Sequence, residues 1–272
     1  MNRIGFLLIF FWASVYQVFG VNFDNPHNKR NGRNITCFNV FGERCTGTNF
    51  LEYLVKQNII GLEPTSAYGH KHFPSWIDLS DFSYPLATDQ HVLDNLHNSD
   101  NCLGILIVRD IYDWTRSFYR KHHHADPVLT EVGFLNFLSS TWVTNNYEPA
   151  RTIDSFNLYT RKPFKNVLEL RKFKILNHLA MGRHMKNFLV VRYEDLLKAP
   201  EQFIDYIAAK YQLSPKLEFE NITKYKGYEN KAFKKRKYLK FNREQFEYLY
   251  QNVDWELEDM IGYSQKTRNE VD

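Results

Sequence analysis

Two unbroken apolar runs frame the chain. Residues 103–108 read LGILIV and residues 187–193 read NFLVVRY. Neither alternates apolar with polar positions. A strand covered on both faces has that pattern, so both runs predict buried strands of a parallel sheet. A further strand, rich in β-formers, is predicted over Ile35–Phe41. Elsewhere the apolar positions fall at helical spacing. After a turn at Gly42–Gly47, Phe50, Leu51, Leu54 and Val55 share one face of a helix predicted over Thr48–Gln57. Helices are also predicted from about Ile111 to His122, and over Gly133–Asn145, Val167–Met181, Pro200–Tyr211, Asn242–Val253 and Trp255–Ile261. Residues 61–85 hold Pro, Gly and aromatics with little period and read as a long functional loop. Strands alternating with helices imply right-handed βαβ units. The expected class is α/β: an open, mainly parallel sheet flanked by helices, with ligands at the carboxyl ends of the strands.

The amino terminus has another pattern. Arg3 precedes an apolar run from Ile4 to Phe19, followed by Gly20. The run is short for a membrane span, and residues 1–20 read as a signal peptide or signal anchor. Residues 21–34, VNFDNPHNKRNGRN, form a polar stem, residues 35–264 the folded domain, and 265–272 a polar tail. Two glycosylation sequons, at Asn34 and Asn221, fit passage through the secretory pathway, with the Golgi lumen or secretion as destination.

Composition narrows the picture modestly. The 272 residues suit one large domain. A net charge of +4 is too mild for a duplex-binding protein but suits an enzyme of anionic ligands, so no nucleic-acid partner is expected. Aromatic residues reach 16%, enough to furnish both a core and a cleft with rings. Of the three cysteines, Cys37, Cys45 and Cys102, no two have metal-ligand spacing, and at most one bridge can form. Cys37 and Cys102 fall in predicted strands and read as small buried hydrophobes.

Two stretches carry chemistry. The first is Phe41-Gly-Glu-Arg-Cys-Thr-Gly-Thr-Asn49, between a strand and a helix. Backbone N–H groups converge at such a turn and the helix dipole adds positive potential, so phosphate binds there readily. Gly42 and Gly47 have the Walker spacing, but Thr48 stands where that motif has lysine, which disfavours a Mg-nucleotide triphosphatase or a P-loop kinase. The second stretch is VRDIYDWTRSFY, where Arg109 ends a buried strand and Ser117 lies eight residues on. An arginine there grips phosphate through two N–H groups, and Ser117, two turns into the helix, adds a hydroxyl. The plain alternative is a structural ion pair of Arg109 with Asp110 or Asp113.

Together the stretches resemble the PAPS-dependent sulfotransferases, in particular a divergent group with a GERxxGTN loop. The segment Val191-Arg-Tyr-Glu-Asp-Leu-Leu-Lys-Ala-Pro200 is similar to that family's late strand and turn, and the resemblance spans roughly residues 35–262. It implies a P-loop NTPase-like sulfotransferase fold, PAPS as donor and PAP as product, no metal, and transfer of a sulfuryl group to a hydroxyl or amine, with a carbohydrate acceptor suggested by a lumenal compartment. It assigns Cys45, Thr46, Gly47, Thr48 and Asn49 to the 5′-phosphosulfate and Arg109 with Ser117 to the 3′-phosphate. The chain departs from the family at Cys45, which stands where the loop lysine belongs. Arg44, or Lys71 from the facing loop, is expected to supply the missing charge, since the reaction needs in-line positioning and positive charge on oxygen. As a nucleophile Cys45 is the weaker candidate, although a helix N-terminus lowers a thiol's pKa. For the general base His72 is favoured over His70, with His91 in reserve. His122–His124 point about 100° apart on a helix, too divergent for one ion, and read as a solvated helix end. The run KAFKKRKYLK, residues 231–240, is suited to closing over a phosphate or meeting an anionic glycan. A non-enzymatic module that binds PAP or glycan, with Cys45 marking lost catalysis, is the competing expectation.

Overall fold

The computed structural model describes residues 35–69, 71, 72, 96, 98–131, 133–144, 154, 156, 157, 160–227, 230–235 and 237–271. Residues 1–34, for which a leader and stem were expected, and His70 and His91 lie outside the described residues. In chain order the elements are β1 (Cys37–Phe41), α1 (Thr48–Asn58), β2 (Ile59–Ile60), β3 (Glu63–Pro64), β4 (Cys102–Val108), α2 (Ile111–Arg120), α3 (Val128–Glu131), α4 (Phe134–Ser139) and α5 (Val167–His184). Then come β5 (Asn187–Arg192), α6 (Tyr193–Lys198), α7 (Pro200–Tyr211), β6 (Ser214–Pro215), α8 (Arg243–Asn252), α9 (Trp255–Met260) and α10 (Arg268–Val271).

The expected α/β class is present. Four parallel strands lie in the order β3-β1-β4-β5, and β2 pairs antiparallel with β6 apart from them. All seven residues of β4 are buried, because helices cover both faces of the sheet. Leu103, Ile105 and Ile107 meet Leu51, Leu54 and Val55 of α1 and Phe203 and Ile207 of α7. On the other face Leu106 and Val108 pack with Ile175, Leu179 and Met181 of α5. A third apolar cluster joins Trp114 and Phe118 of α2 to Phe137, Trp142, Phe164 and Phe246.

Some expectations need correction. The helix expected to run to Asn145 stops at Ser139, because the backbone beyond it bonds to distant segments: Trp142 N donates to Phe164 O and Asp126 N to Val143 O. Residues 193–198 form a helix where a turn was expected. The polar carboxyl-terminal stretch docks on the domain. Lys266 pairs with Asp110, Arg268 donates to the Phe241 carbonyl, and α10 follows. Cys37 and Cys102 are register partners on β1 and β4, and all three cysteines are free thiols. Cys37 is only half-buried.

Candidate active site

Strands β1 and β4 lie side by side and end at the same edge of the sheet. The connection after β1 is the glycine loop, and β4 ends one residue before Arg109. The topology alone therefore brings the two stretches together, at the sheet edge where α/β proteins bind ligands. Arg109 Nη1 donates to the Cys45 carbonyl at 2.9 Å.

Tyr193, the first residue after β5, completes the join. Its ring packs on Gly47, where a Cβ would approach ring carbons to 2.5 Å. Gly47 also has φ +101, a conformation in which a side chain is strained. The Arg109 guanidinium lies 4.6 Å from the Tyr193 ring centroid, so one aromatic ring touches both halves of the site. Gly42 is needed for a different reason. A Cβ there would stand 2.6 Å from the Ile107 carbonyl of the neighbouring strand.

Arg109 is only 9% exposed. Its bonds go to the Cys45 carbonyl and the Tyr238 hydroxyl, and its Nε is buried without a partner. Among the described residues no carboxylate pairs with it. The two nearby candidates are engaged elsewhere. Asp110 caps α2, accepting from Tyr112 N and Asp113 N, and pairs with Lys266. Asp113 pairs with Arg116 at 2.8 Å. The structural ion pair considered from sequence is absent. Ser117 lies buried on α2 and faces the cleft. The Arg109 carbonyl is held by Arg171 Nη2 at 2.7 Å, and Arg171 itself pairs with Glu258.

The loop residues divide into two groups. Thr48 and Asn49 begin α1 and line the cleft with Gly47 and Cys45. The first N–H groups of a helix have no partner within it, so those of α1 are open to an anion. Thr46 must be reassigned. Both its N–H and its hydroxyl donate to the Glu43 carbonyl, at 3.2 and 2.6 Å, closing the turn and leaving neither for a ligand.

Arg44 departs furthest from expectation. It is 1% exposed. Its Nε meets Glu43 at 2.9 Å, its Nη2 pairs with Asp154, and its Nη1 donates to the His123 carbonyl. Phe118 and Trp142 flank its guanidinium at 5.0 and 5.1 Å. Lys174 of α5 meets the same two carboxylates, Glu43 at 2.7 Å and Asp154. Two cations and two anions thus neutralise one another beneath the loop. Burial alone would raise the Glu43 carboxyl, but Lys174 and Arg44 overcome it and hold the group at about 2. The Arg44 charge is committed inside the protein and does not serve a transferred group.

Lys71 does stand at the loop. Its ammonium donates to Asn49 Oδ1 at 2.6 Å, lies 3.6 Å from Glu52, and lines the cleft. The Lys71 carbonyl accepts from Gly42 N at 2.9 Å. Beside it, His72 Nδ1 lies 2.8 Å from the Gly42 carbonyl. A carbonyl only accepts, so Nδ1 carries the proton and Nε2 of the neutral ring is the basic atom. Burial is the main cause that lowers the His72 pKa to about 3, which keeps the ring neutral at ordinary pH. The Cys45 thiol shifts the other way. Burial raises its pKa despite the helix N-terminus, which argues further against a nucleophile.

The cleft these residues line has a volume of about 1320 Å³. Apart from the neutralised Arg44, ten Lys or Arg residues line it against four Asp or Glu. Lys231, Lys234, Lys235 and Tyr238, from the basic run near the carboxyl terminus, form one wall. His123 and His124 lie just beyond the end of α2, with His123 exposed as expected for a solvated helix end, and both line the cleft. Sequence reasoning missed Tyr193, Tyr238, Asp154 and Lys174. Only Tyr193 had a readable signal, its place just past the carboxyl end of a buried strand. No protein-family model matches this chain, and no curated protein or solved structure matches it.

Proposed function

We propose that the chain is a PAPS-dependent sulfotransferase of the secretory pathway, built on a P-loop NTPase-like sulfotransferase fold and acting on a hydroxyl or amine of a carbohydrate. One observation carries this reading. Arg109 is a buried cation with an unpartnered N–H and, among the described residues, no carboxylate, set against an open helix N-terminus in a cationic cleft. A buried charge is costly unless something pairs with it. A ligand with two separate anionic groups satisfies both features at once, one group on the α1 amides and one on Arg109.

The residues present fit such a nucleotide. Gly47, Thr48 and Asn49 would hold its 5′ end, and Arg109 with Ser117 its 3′-phosphate. When bound, PAPS supplies the sulfuryl group. Lys71, already on Asn49, takes the charge role that Arg44 cannot fill. His72, anchored through Nδ1 on the Gly42 carbonyl, accepts a hydrogen bond from the acceptor hydroxyl at Nε2 and orients it, its buried ring being a weak base. The test is a thermal-shift and calorimetric titration with PAP, ATP and ADP, followed by sulfuryl transfer from labelled PAPS to a mixed glycan pool. PAP is expected to stabilise the protein by mass action, and Arg109→Ala to abolish the effect. Mg-dependent ATP binding in place of PAP binding sinks the proposal.

A further inference from the structure

Behind Arg109, three oxygen atoms compete for one proton. The buried Tyr263 hydroxyl lies 3.2 Å from the Val108 carbonyl at the end of β4 and 2.6 Å from Glu194 Oε2 on α6. The other carboxyl oxygen, Glu194 Oε1, accepts from Asp110 N at 3.2 Å. A phenol carries one proton, and a carbonyl only accepts. With Glu194 ionised, Tyr263 donates to one of its two neighbours and sets its lone pairs against the other. With a proton on Oε2, Glu194 donates to Tyr263, Tyr263 donates to Val108, and every contact is a hydrogen bond.

No counter-charge offsets an ionised Glu194: among the described residues no cation pairs with it. Arg192, on the strand before it, is held by Asp195 and the Gly262 carbonyl. Arg171, which faces Tyr263 from α5, pairs with Glu258. Lys266 pairs with Asp110, and Arg109 bonds to the Cys45 carbonyl and the Tyr238 hydroxyl. Lys198, one turn along α6, is exposed. The remaining ionisable neighbours are the Asp110 carboxyl and the Tyr193 phenol, with Asp113 beyond Tyr193. Burial is the main cause that raises the Glu194 pKa, over the opposing bonds from Tyr263 and the backbone, and the Asp110 charge adds to the rise.

The place of this carboxyl ties it to the anion site. Glu194 lines the cleft, follows Tyr193, whose ring meets the Arg109 guanidinium, and holds the N–H of the residue directly after Arg109. We infer that Glu194 is a positioning residue of the Arg109 anion site, held there in its protonated form. The neutral carboxyl braces the backbone behind Arg109 without setting a negative charge beside the ligand. Ionisation breaks the run of hydrogen bonds from Glu194 through Tyr263 to Val108 and adds an anion at the clamp, so anion binding weakens as pH rises. That the anion is a nucleotide phosphate rests on the proposed transferase reading; the proton on Glu194 does not.

The experiment is calorimetry of the full chain with PAP from pH 5 to 8.5, wild type beside Glu194→Gln. The amide donates to Tyr263 and accepts from Asp110 N as the protonated acid does, but it cannot ionise. The phosphates of PAP ionise equally in both titrations, so the ratio of the two affinities reports on Glu194. Wild-type affinity is expected to fall about tenfold relative to the variant across this range. Urea unfolding supplies a readout that needs no ligand. A folded pKa above the ordinary 4.5 means that the folded chain keeps a proton the unfolded chain releases. Wild-type stability should therefore fall, relative to the variant, as pH rises from 4.5 through the folded pKa. An affinity ratio that stays flat overturns the inference, as do parallel stability profiles. A variant weakened equally at every pH also overturns it, since only packing has then been lost. Diverging stability profiles in proteins that both ignore PAP uphold the proton on Glu194 and overturn the nucleotide reading.

Discussion

Two arginines on either side of Cys45 are buried to a similar degree and differ in what surrounds them. Arg44 is enclosed by Glu43, Asp154 and two aromatic rings, and shares its carboxylates with Lys174. Arg109 touches a carbonyl, a phenol and an aromatic ring, and keeps an unpaired N–H. The first arrangement is electrically closed and holds the loop from below. The second is open and faces the cleft. Burial of a cation therefore says little about its use; the presence or absence of counter-charges separates support from recognition.

The largest test of this contrast removes a counter-charge. Asp154→Asn leaves Arg44 and Lys174 sharing one carboxylate and is expected to cost about 3–5 kcal/mol in urea unfolding. A loss below 1 kcal/mol would mean the cluster is not a unit. Arg109→Ala should do the reverse, changing the unfolding midpoint little while lowering PAP affinity by about 2–5 kcal/mol in calorimetry. Equal damage to stability and binding would erase the distinction between the two arginines. Gly47→Ala pushes a methyl into the Tyr193 ring and strains the backbone. It should cost about 1–3 kcal/mol of stability and weaken PAP binding, because Tyr193 also carries Arg109. The smallest effect concerns His72. Its folded pKa of about 3 lies below its ordinary 6.5, so between those values the unfolded chain binds a proton that the folded ring refuses. Stability should fall as pH drops through that window, and urea unfolding at pH 7.5 and 5.5 should show a smaller acid loss in His72→Asn. An identical loss in both proteins would remove His72 from the account.

The contrast also shows where sequence reasoning stops. The unbroken apolar run of β4 announced a strand covered on both faces, and Arg109 and Ser117 followed from counting along it. The short pairs β2, β3 and β6 left no pattern, since two residues carry no period. The site was legible where local chemistry determines it: glycines at the turn, arginine at a strand end, the Lys71–His72 pair opposite. It was illegible where a side chain's role depends on a distant partner. Nothing near Arg44 in sequence says that Asp154 and Lys174, more than a hundred residues away, neutralise it. Thr46 looked like a donor to phosphate because its hydroxyl bond to the Glu43 carbonyl exists only once the turn has formed.

The docked carboxyl terminus changes what counts as the folding unit. Lys266 pairs with Asp110, the residue that caps α2 and directly follows Arg109 in the chain, and the Tyr112 hydroxyl bonds to the backbone of residue 266. A version of the protein cut after the last buried apolar residue, Tyr263, would lose both the packing of Val271 on the aromatic cluster and the brace beneath the clamp.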